Sequence, residues 1–181
     1  MRYLVISDIH GASGALRKAL AWKERLNADR ILLLGDLLYH GPRNDLPEFY
    51  SPRETAEELN SAAAFLTAVR GNCDAEVDQM LLDFPITADF QLVRLNANRK
   101  AVMTHGHLNE YQMGLGAADV LLCGHTHIAT AYRDEEGVFR CNPGSVSMPK
   151  GELAASFGLL EEERFTVYDL DGGELLSVDF E

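Results

Sequence analysis

Seven residues of metal-ligand type fall in five short clusters, in the order Asp8-x-His10, Gly35-Asp36, Gly71-Asn72, His105 and Gly124-His125-Thr126-His127. Carboxylate and amide oxygens mixed with imidazole nitrogens suit Mn, Fe or Zn better than a lone Ca site. Seven ligands exceed the needs of one tetrahedral ion. They suffice for two ions sharing a bridging carboxylate, the arrangement that drives displacement at a phosphoester. A phosphodiester is an anion and repels hydroxide. Two cations ~3.5–4 Å apart neutralise its phosphoryl oxygens and lower the pKa of a bridging water. Such chemistry needs no Ser/His/Asp triad, and none is evident.

Each cluster alone has a blander reading. A single His after a strand is ordinarily a loop or core residue, and Asp after Gly is ordinarily a turn residue. Four of six histidines falling in register with three oxygen ligands is a far more specific signal. Asp8/His10 and His125/His127 also share an i, i+2 spacing. Alternate side chains share a side on an extended backbone, whereas a helix needs i, i+3 or i+4. Asn72 adds a neutral oxygen, which leaves positive charge for a substrate.

The elements that must position these residues are legible in outline. Arg2–Ser7 is an apolar strand ending at Asp8. Ser13 is expected to cap a helix running to Asn27, with Leu16, Ala19, Leu20 and Leu26 on one face. Arg30–Leu34 is a second strand that meets Gly35-Asp36. His40–Ser51, with Gly41, Pro42 and Pro47, reads as an irregular loop. Pro52 suits a helix start, with Glu54, Glu57 and Glu58 near its positive end. Phe65–Val69 is a third strand. Strand, ligand and helix in repetition imply parallel pairing and a site at the carboxyl ends of strands. After Asp89 eight short strands follow at turn-rich intervals. They predict a second, mostly antiparallel sheet packed on the first. No linker, internal repeat or low-complexity segment is evident, so residues 1–181 read as one domain.

The chain has 181 residues, 46% hydrophobic and 24% charged, an ordinary globular balance with length for a substantial core. Its formal net charge of −12 argues against long nucleic acid, whose phosphates want a basic surface. Small phosphorylated substrates remain compatible, because divalent cations reverse the local field. No stretch approaches the ~20 apolar residues of a membrane span. The first apolar run is too short for a signal peptide, and Cys73, Cys123 and Cys141 are irregularly spaced. Reduced thiols in the cytoplasm are the expectation. A homo-oligomer is compatible with the sequence, but no residue demonstrates one.

The five clusters together resemble the calcineurin-like metallophosphoesterases. The longer runs Gly35-Asp36-Leu37-Leu38-Tyr39-His40-Gly41-Pro42-Arg43-Asn44, Arg70-Gly71-Asn72-Cys73-Asp74 and Asn142-Pro143-Gly144-Ser145-Val146-Ser147 narrow this to its small bacterial phosphodiesterases. The resemblance implies an α/β fold, a two-sheet sandwich flanked by helices in four layers, with two metals at one edge. It implies Asp8, His10 and His127 on one ion, Asn72, His105 and His125 on the other, and Asp36 bridging both. Manganese is the ion it suggests, with Fe, Zn, Ni and Mg chemically open. A small phosphodiester is the implied substrate. A phosphomonoesterase with the same ions and a non-enzymatic scaffold for protein binding are the alternatives.

Two departures sharpen these expectations. Many relatives place His after the Gly-Asn pair, where it protonates the leaving group. Cys73 stands there instead, and a thiol with a reference pKa near ~8.5 is a poorer acid than imidazolium. Ser/Thr protein phosphatases resemble Gly-Asp-x-Val-Asp-Arg-Gly after the second strand, and that Arg grips a monoester. This chain has Tyr39-His40-Gly41 there. Cys73 is therefore the candidate for proton transfer and Asp74 for orienting it, while His107, two residues after His105, is a candidate for supporting a ligand or touching the substrate. Asp74 has a second reading as a helix cap. His107 has one as loop packing. Arg43, Arg70, Asn142 and Ser145 are candidates for substrate contact, with Lys150 behind them. His40 reads as a loop residue.

Overall fold

The computed structural model describes residues 1–109 and 113–181. Strand β1 (Tyr3–Ile6) is buried at every residue. Leu4 and Ile6 join one apolar cluster while Tyr3 and Val5 join another, so this strand has a core on each face. Parallel strands β2 (Arg30–Leu33) and β3 (Leu66–Ala68) extend the sheet, with Leu4 beside Ile31 and Ile31 beside Leu66.

The helix expected over Ser13–Asn27 is broken. Helix α1 covers Ser13–Leu20 and a single turn, α2, covers Trp22–Arg25. Ser13 does not cap. Ala12 precedes α1, and the Ser13 hydroxyl donates to Glu54 Oε2 at 3.0 Å and to the Phe49 carbonyl at 3.3 Å. It thus ties α1 to helix α3 (Pro52–Ser61). Helix α3 begins as the sequence predicts, with Pro52 in the first turn and the Ser51 hydroxyl accepting the Glu54 N–H. A short helix, α4 (Glu76–Gln79), follows β3.

The second sheet contains β4 (Phe90–Arg94), β5 (Lys100–Thr104), β6 (Val120–Leu122), β7 (Thr130–Arg133) and β8 (Phe139–Asn142), in the order β4-β5-β6-β8-β7. It is mixed, not mostly antiparallel. β5 pairs with β6 in parallel, as does β6 with β8. The long stretch between Thr104 and Val120 gives the crossover that parallel pairing requires. Strands β9 (Ser156–Leu160), β10 (Arg164–Asp169) and β11 (Glu174–Asp179) return to the first sheet, whose order is β11-β10-β9-β1-β2-β3. β9 lies antiparallel to β1, and all five of its residues are buried.

Period-two alternation sorts the apolar side chains into layers. Leu4, Ile6, Ile31 and Leu33 face α1 and α3 through Leu16, Ala19, Ala56 and Leu59. Tyr3, Val5, Leu32, Ala101, Met103, Val120 and Leu122 fill the space between the sheets. Val102 and Leu121 point outward against Met113 and Val138. Helical cover thus lies over the first sheet. Among the described residues, a loop cluster and not a helix covers the second. Each fully buried Leu, Ile or Val contributes roughly 1.5–3 kcal/mol, so the two sheets are firmly joined and their strand ends stay in fixed relation. No described helix is long and apolar enough to cross a membrane.

Candidate active site

The five clusters lie just past the ends of β1, β2, β3, β5 and β6, strands that pair in parallel within their sheets. Backbone bonds lock these loops to one another. Asp8 N–H donates to the Gly35 carbonyl at 3.2 Å, His10 N–H to Asp36 at 2.9 Å, and Gly124 N–H to His105 at 2.9 Å. The backbone itself differs from the extended form expected. Asp8, His10, Asp36, His125 and His127 all have φ between 49° and 66°. Left-handed conformations are costly away from glycine and concentrate at sites where the surroundings over-determine them. The i, i+2 pairs converge through these tight turns, not along a strand.

The glycines before the ligands have a matching explanation. A Cβ on Gly71 would collide with Asp36 Oδ1 and the Asp36 amide nitrogen, and one on Gly124 would collide with Ser7 Oγ and Asp8 Oδ2. The loops approach too closely for any side chain there.

Three imidazoles are oriented in one way. His10 Nδ1 lies 2.8 Å from the Tyr39 carbonyl, His127 Nδ1 2.7 Å from Met148, and His105 Nδ1 2.7 Å from Leu34. A carbonyl only accepts, so each Nδ1 carries its proton and each neutral ring keeps an Nε2 lone pair. Those Nε2 atoms face the carboxylates. His127 Nε2 is 3.2 Å from Asp8 Oδ1. His10 Nε2 is 3.6 Å and His105 Nε2 3.4 Å from Asp36 Oδ2. His10 and His127 present their Nε2 atoms to each other at 3.2 Å. Asp8 Oδ1 is buried and accepts no well-formed hydrogen bond. Facing lone pairs beside an orphaned anionic oxygen are a donor set that a divalent cation satisfies. The residues present therefore fit the metal.

Ligand atoms of Asp8, His10 and His127 lie within 4.8 Å of one another, as do those of Asp8, Asp36 and His105. Asp36 Oδ2 stands between His10 and His105, where a shared ligand belongs. Asn72 turns Oδ1 to His105 Nε2 at 3.0 Å and its amide nitrogen to Cys73 Sγ at 3.3 Å. His125 stands farther out, its ring 5.1 Å from that of His105.

Electrostatics follow the same geometry. Burial works to raise the Asp8 pKa, but the imidazoles of His10 and His127 beside it hold it well below the usual carboxylate range. Burial likewise opposes charge on Asp36, and His105 outweighs it, giving a lowered pKa. The carboxylates return the effect: despite burial, His10 and His105 are raised. Burial and the neighbouring His105 lower both His107 and His125. Burial and then Asp36 push the Cys73 thiol up to about 12.

Beside this cluster lies a cavity of about 780 Å³, lined by His10, Asp36, Asn72, Cys73, Asp74, His125 and His127 together with Tyr39, Arg43, Asn44 and Lys150. Arg43 is on the lining. Arg70 is not on the lining and pairs with Asp89 at 3.4 Å. Asn142 and Ser145 do not line the cavity either, because both are buried as braces. Asn142 Nδ2 donates to the Gly124 carbonyl at 2.8 Å and to Thr126 Oγ1 at 3.1 Å. Ser145 Oγ donates to the Asp8 carbonyl at 2.7 Å and accepts the N–H of Met148 at 2.9 Å. Asp74 caps no helix, since the Ala75 N–H before α4 goes to Asp78. It receives the amides of Asp36, Leu37 and Gly71 at 2.7–2.9 Å. His107 packs its ring 5.4 Å from His105, and its buried Nδ1 has no partner among the described residues. His40 remains a loop residue against Tyr50. Tyr39 and Asn44 were missed as cavity residues. Their only signal was proximity to Arg43 in an irregular loop.

Comparison with known proteins agrees with this geometry. The model of the calcineurin-like phosphoesterase superfamily domain matches residues 1–164. Phosphodiesterase YfcE of Escherichia coli K12 is 46% identical over 179 residues, covering 98% of this chain and 96% of that protein. The solved structure of that E. coli phosphoesterase superposes with a TM-score of 0.94 at 44% identity over the whole of both chains. A predicted phosphoesterase from Streptococcus pneumoniae TIGR4 shares the fold, with a TM-score of 0.62 at 22% identity over 98% of this chain and 95% of that one. The chain belongs to the calcineurin-like phosphoesterase superfamily, whose members work with divalent metals.

Proposed function

We propose that this protein is a cytoplasmic phosphodiesterase, built as one domain over residues 1–181, that works with two divalent cations. Asp8, His10 and His127 hold one ion, Asn72, His105 and His125 the other, and Asp36 is shared. Manganese fits the mixed oxygen and nitrogen set, as do its first-row neighbours. The observation that carries the reading is the convergence of three Nε2 lone pairs on Asp8 Oδ1 and Asp36 Oδ2.

When bound, the cations supply charge neutralisation at the phosphoryl oxygens and a water of lowered pKa. The protein's own groups do the rest. The Asp36 carboxylate is kept ionised by His105, and the Cys73 N–H holds its Oδ1 at 2.8 Å, leaving Oδ2 free for the centre. Asp74 acts as a positioning residue for Asp36, Asn142 for the His125–His127 loop and Ser145 for the backbone at Asp8. Cys73 reaches the cavity as a neutral thiol. It is a weak proton donor, so leaving groups that depart without protonation are favoured. Turnover of aryl diesters should exceed that of alkyl diesters.

Diesters are favoured over monoesters because no Arg follows Asp36 at the position where Ser/Thr phosphatases grip a dianion, and because the 46% identical relative is a phosphodiesterase. Comparing bis(4-nitrophenyl) phosphate with 4-nitrophenyl phosphate on one Mn-loaded preparation tests this. Faster hydrolysis of the diester is expected. Faster hydrolysis of the monoester would overturn the diester assignment.

A further inference from the structure

In a chain with net charge −12, basic side chains have many acids to pair with. Most do so, as Arg2 with Glu161, Arg17 with Glu58 and Arg164 with Asp179 show. Arg43 and Lys150 do not, and neither do Lys18 and Arg25, which lie away from the ligand cluster. Among the described residues, neither the Arg43 nor the Lys150 side chain has an ion pair or hydrogen bond, yet both line the cavity beside the ligand cluster. They reach it from opposite sides of the sequence. Arg43 sits on the loop after β2, where the Asn44 amide fixes the turn by donating to the His40 carbonyl at 2.9 Å. Lys150 follows β8 and is anchored through its own N–H to the His127 carbonyl at 3.0 Å. Two unpaired cations on separate, tethered loops converge on one space.

A monoanionic diester has no need of them. Two divalent cations outweigh the carboxylates of Asp8 and Asp36, so the centre already carries surplus positive charge toward the phosphoryl group. Further cations lining the same cavity match a second negative group on the substrate. We infer that Arg43 and Lys150 form an anion subsite, and that the physiological substrate is a phosphodiester carrying an additional phosphate or carboxylate on one of its alcohol parts. Arg43 supplies the planar, fork-shaped donors suited to either group, and Lys150 a mobile point charge. The inference rests on the phosphodiesterase reading for the chemistry at the metals, but its charge argument is tested by binding alone.

The experiment measures affinity without turnover. Mn-loaded wild type and an Arg43→Gln/Lys150→Gln double variant are titrated by calorimetry with 3-phosphonopropionate and with propylphosphonate. The two probes have similar length and differ in one terminal charge. Wild type is expected to bind 3-phosphonopropionate at least tenfold more tightly, and the double variant to bind both alike. Equal binding by wild type, no binding of either probe, or a preference that survives in the double variant would each overturn the subsite. Hydrolysis of bis(4-nitrophenyl) phosphate by the same two preparations separates this outcome from the activity. Wild type that shows the binding preference but no hydrolysis refutes the phosphodiesterase reading and leaves the subsite standing. An ethyl 4-nitrophenyl phosphodiester and its counterpart with a terminal carboxylate then distinguish the substrate class, the charged ester having the higher kcat/KM in wild type only.

Discussion

The carboxylate of Asp74 accepts the backbone N–H of Asp36 at 2.9 Å, so one buried acid holds another at the centre of the site. Its remaining capacity takes up the Leu37 and Gly71 amides, which straps the loop after β2 to the loop after β3. Asp74→Ala strands three buried amides. The expected cost is roughly 2–4 kcal/mol, given ~1–3 kcal/mol for one unsatisfied buried group and some entry of water. Metal affinity should fall by about 10–100-fold, the usual effect of removing a group that orients a ligand. Denaturant unfolding and metal titration check both numbers. A variant with wild-type stability and affinity would remove Asp74 from this role.

Gly124→Ala tests the close approach of the loops. The new methyl would occupy the space of Ser7 Oγ and Asp8 Oδ2, both buried and hydrogen-bonded to each other. Asp8 Oδ2 also accepts the His125 N–H at 3.0 Å, so the clash displaces both ligands together. Large loss of bound metal and of hydrolysis is expected, with a lowered melting temperature. Gly114→Ala is the control, because none of the described residues lies within 4 Å of a Cβ there. Its effect should be limited to the strain of a φ of 61°.

Cys73 supports a pH prediction and a substitution. Burial and the nearby Asp36 push its thiol up to about 12, so it stays protonated through neutral pH. Alkylation of Cys73 by iodoacetamide, followed by mass spectrometry, should be slow at pH 8 and should still be rising at pH 10. A rate that levels off near pH 8.5 would contradict the shift. Cys73→His introduces a stronger proton donor. It should raise turnover of alkyl diesters more than that of nitrophenyl diesters, because only the alkyl group needs protonation to leave. Equal effects on both would exclude position 73 from proton transfer.

Much of this site was legible in the sequence because metal chemistry tolerates few residue types. Asp8, His10, Asp36, Asn72, His105, His125 and His127 were identifiable from type and order, and they do gather past the carboxyl ends of parallel strands. Their backbone conformation was not legible. An i, i+2 pair of ligands is compatible with extended chain, and nothing in the spacing announces left-handed turns at Asp8, His10, His125 and His127 or the close approach of loops at Gly71 and Gly124. The assignment of strands to sheets failed for a related reason. Ser156–Leu160 and Val120–Leu122 are both short, fully buried strands, and nothing local says that one pairs with β1 and the other with β5. Asn142 and Ser145 show the limit for polar residues. In a tight Pro-Gly turn, a side chain that lines a site and one that braces it have the same sequence signature. Only burial separated them.

The most direct measurement of the central claim is hydrolysis of bis(4-nitrophenyl) phosphate by wild type, by metal-stripped wild type and by Asp36→Asn, with metal content determined on each sample. Wild type should hold two equivalents of divalent metal per chain after reconstitution. Stripping should abolish activity, and Mn should restore it. Asp36→Asn should lose roughly a hundredfold or more, exceeding the ~10–100-fold typical of groups that only orient ligands. Hydrolysis by the stripped protein, or by Asp36→Asn at the wild-type rate, would contradict the account.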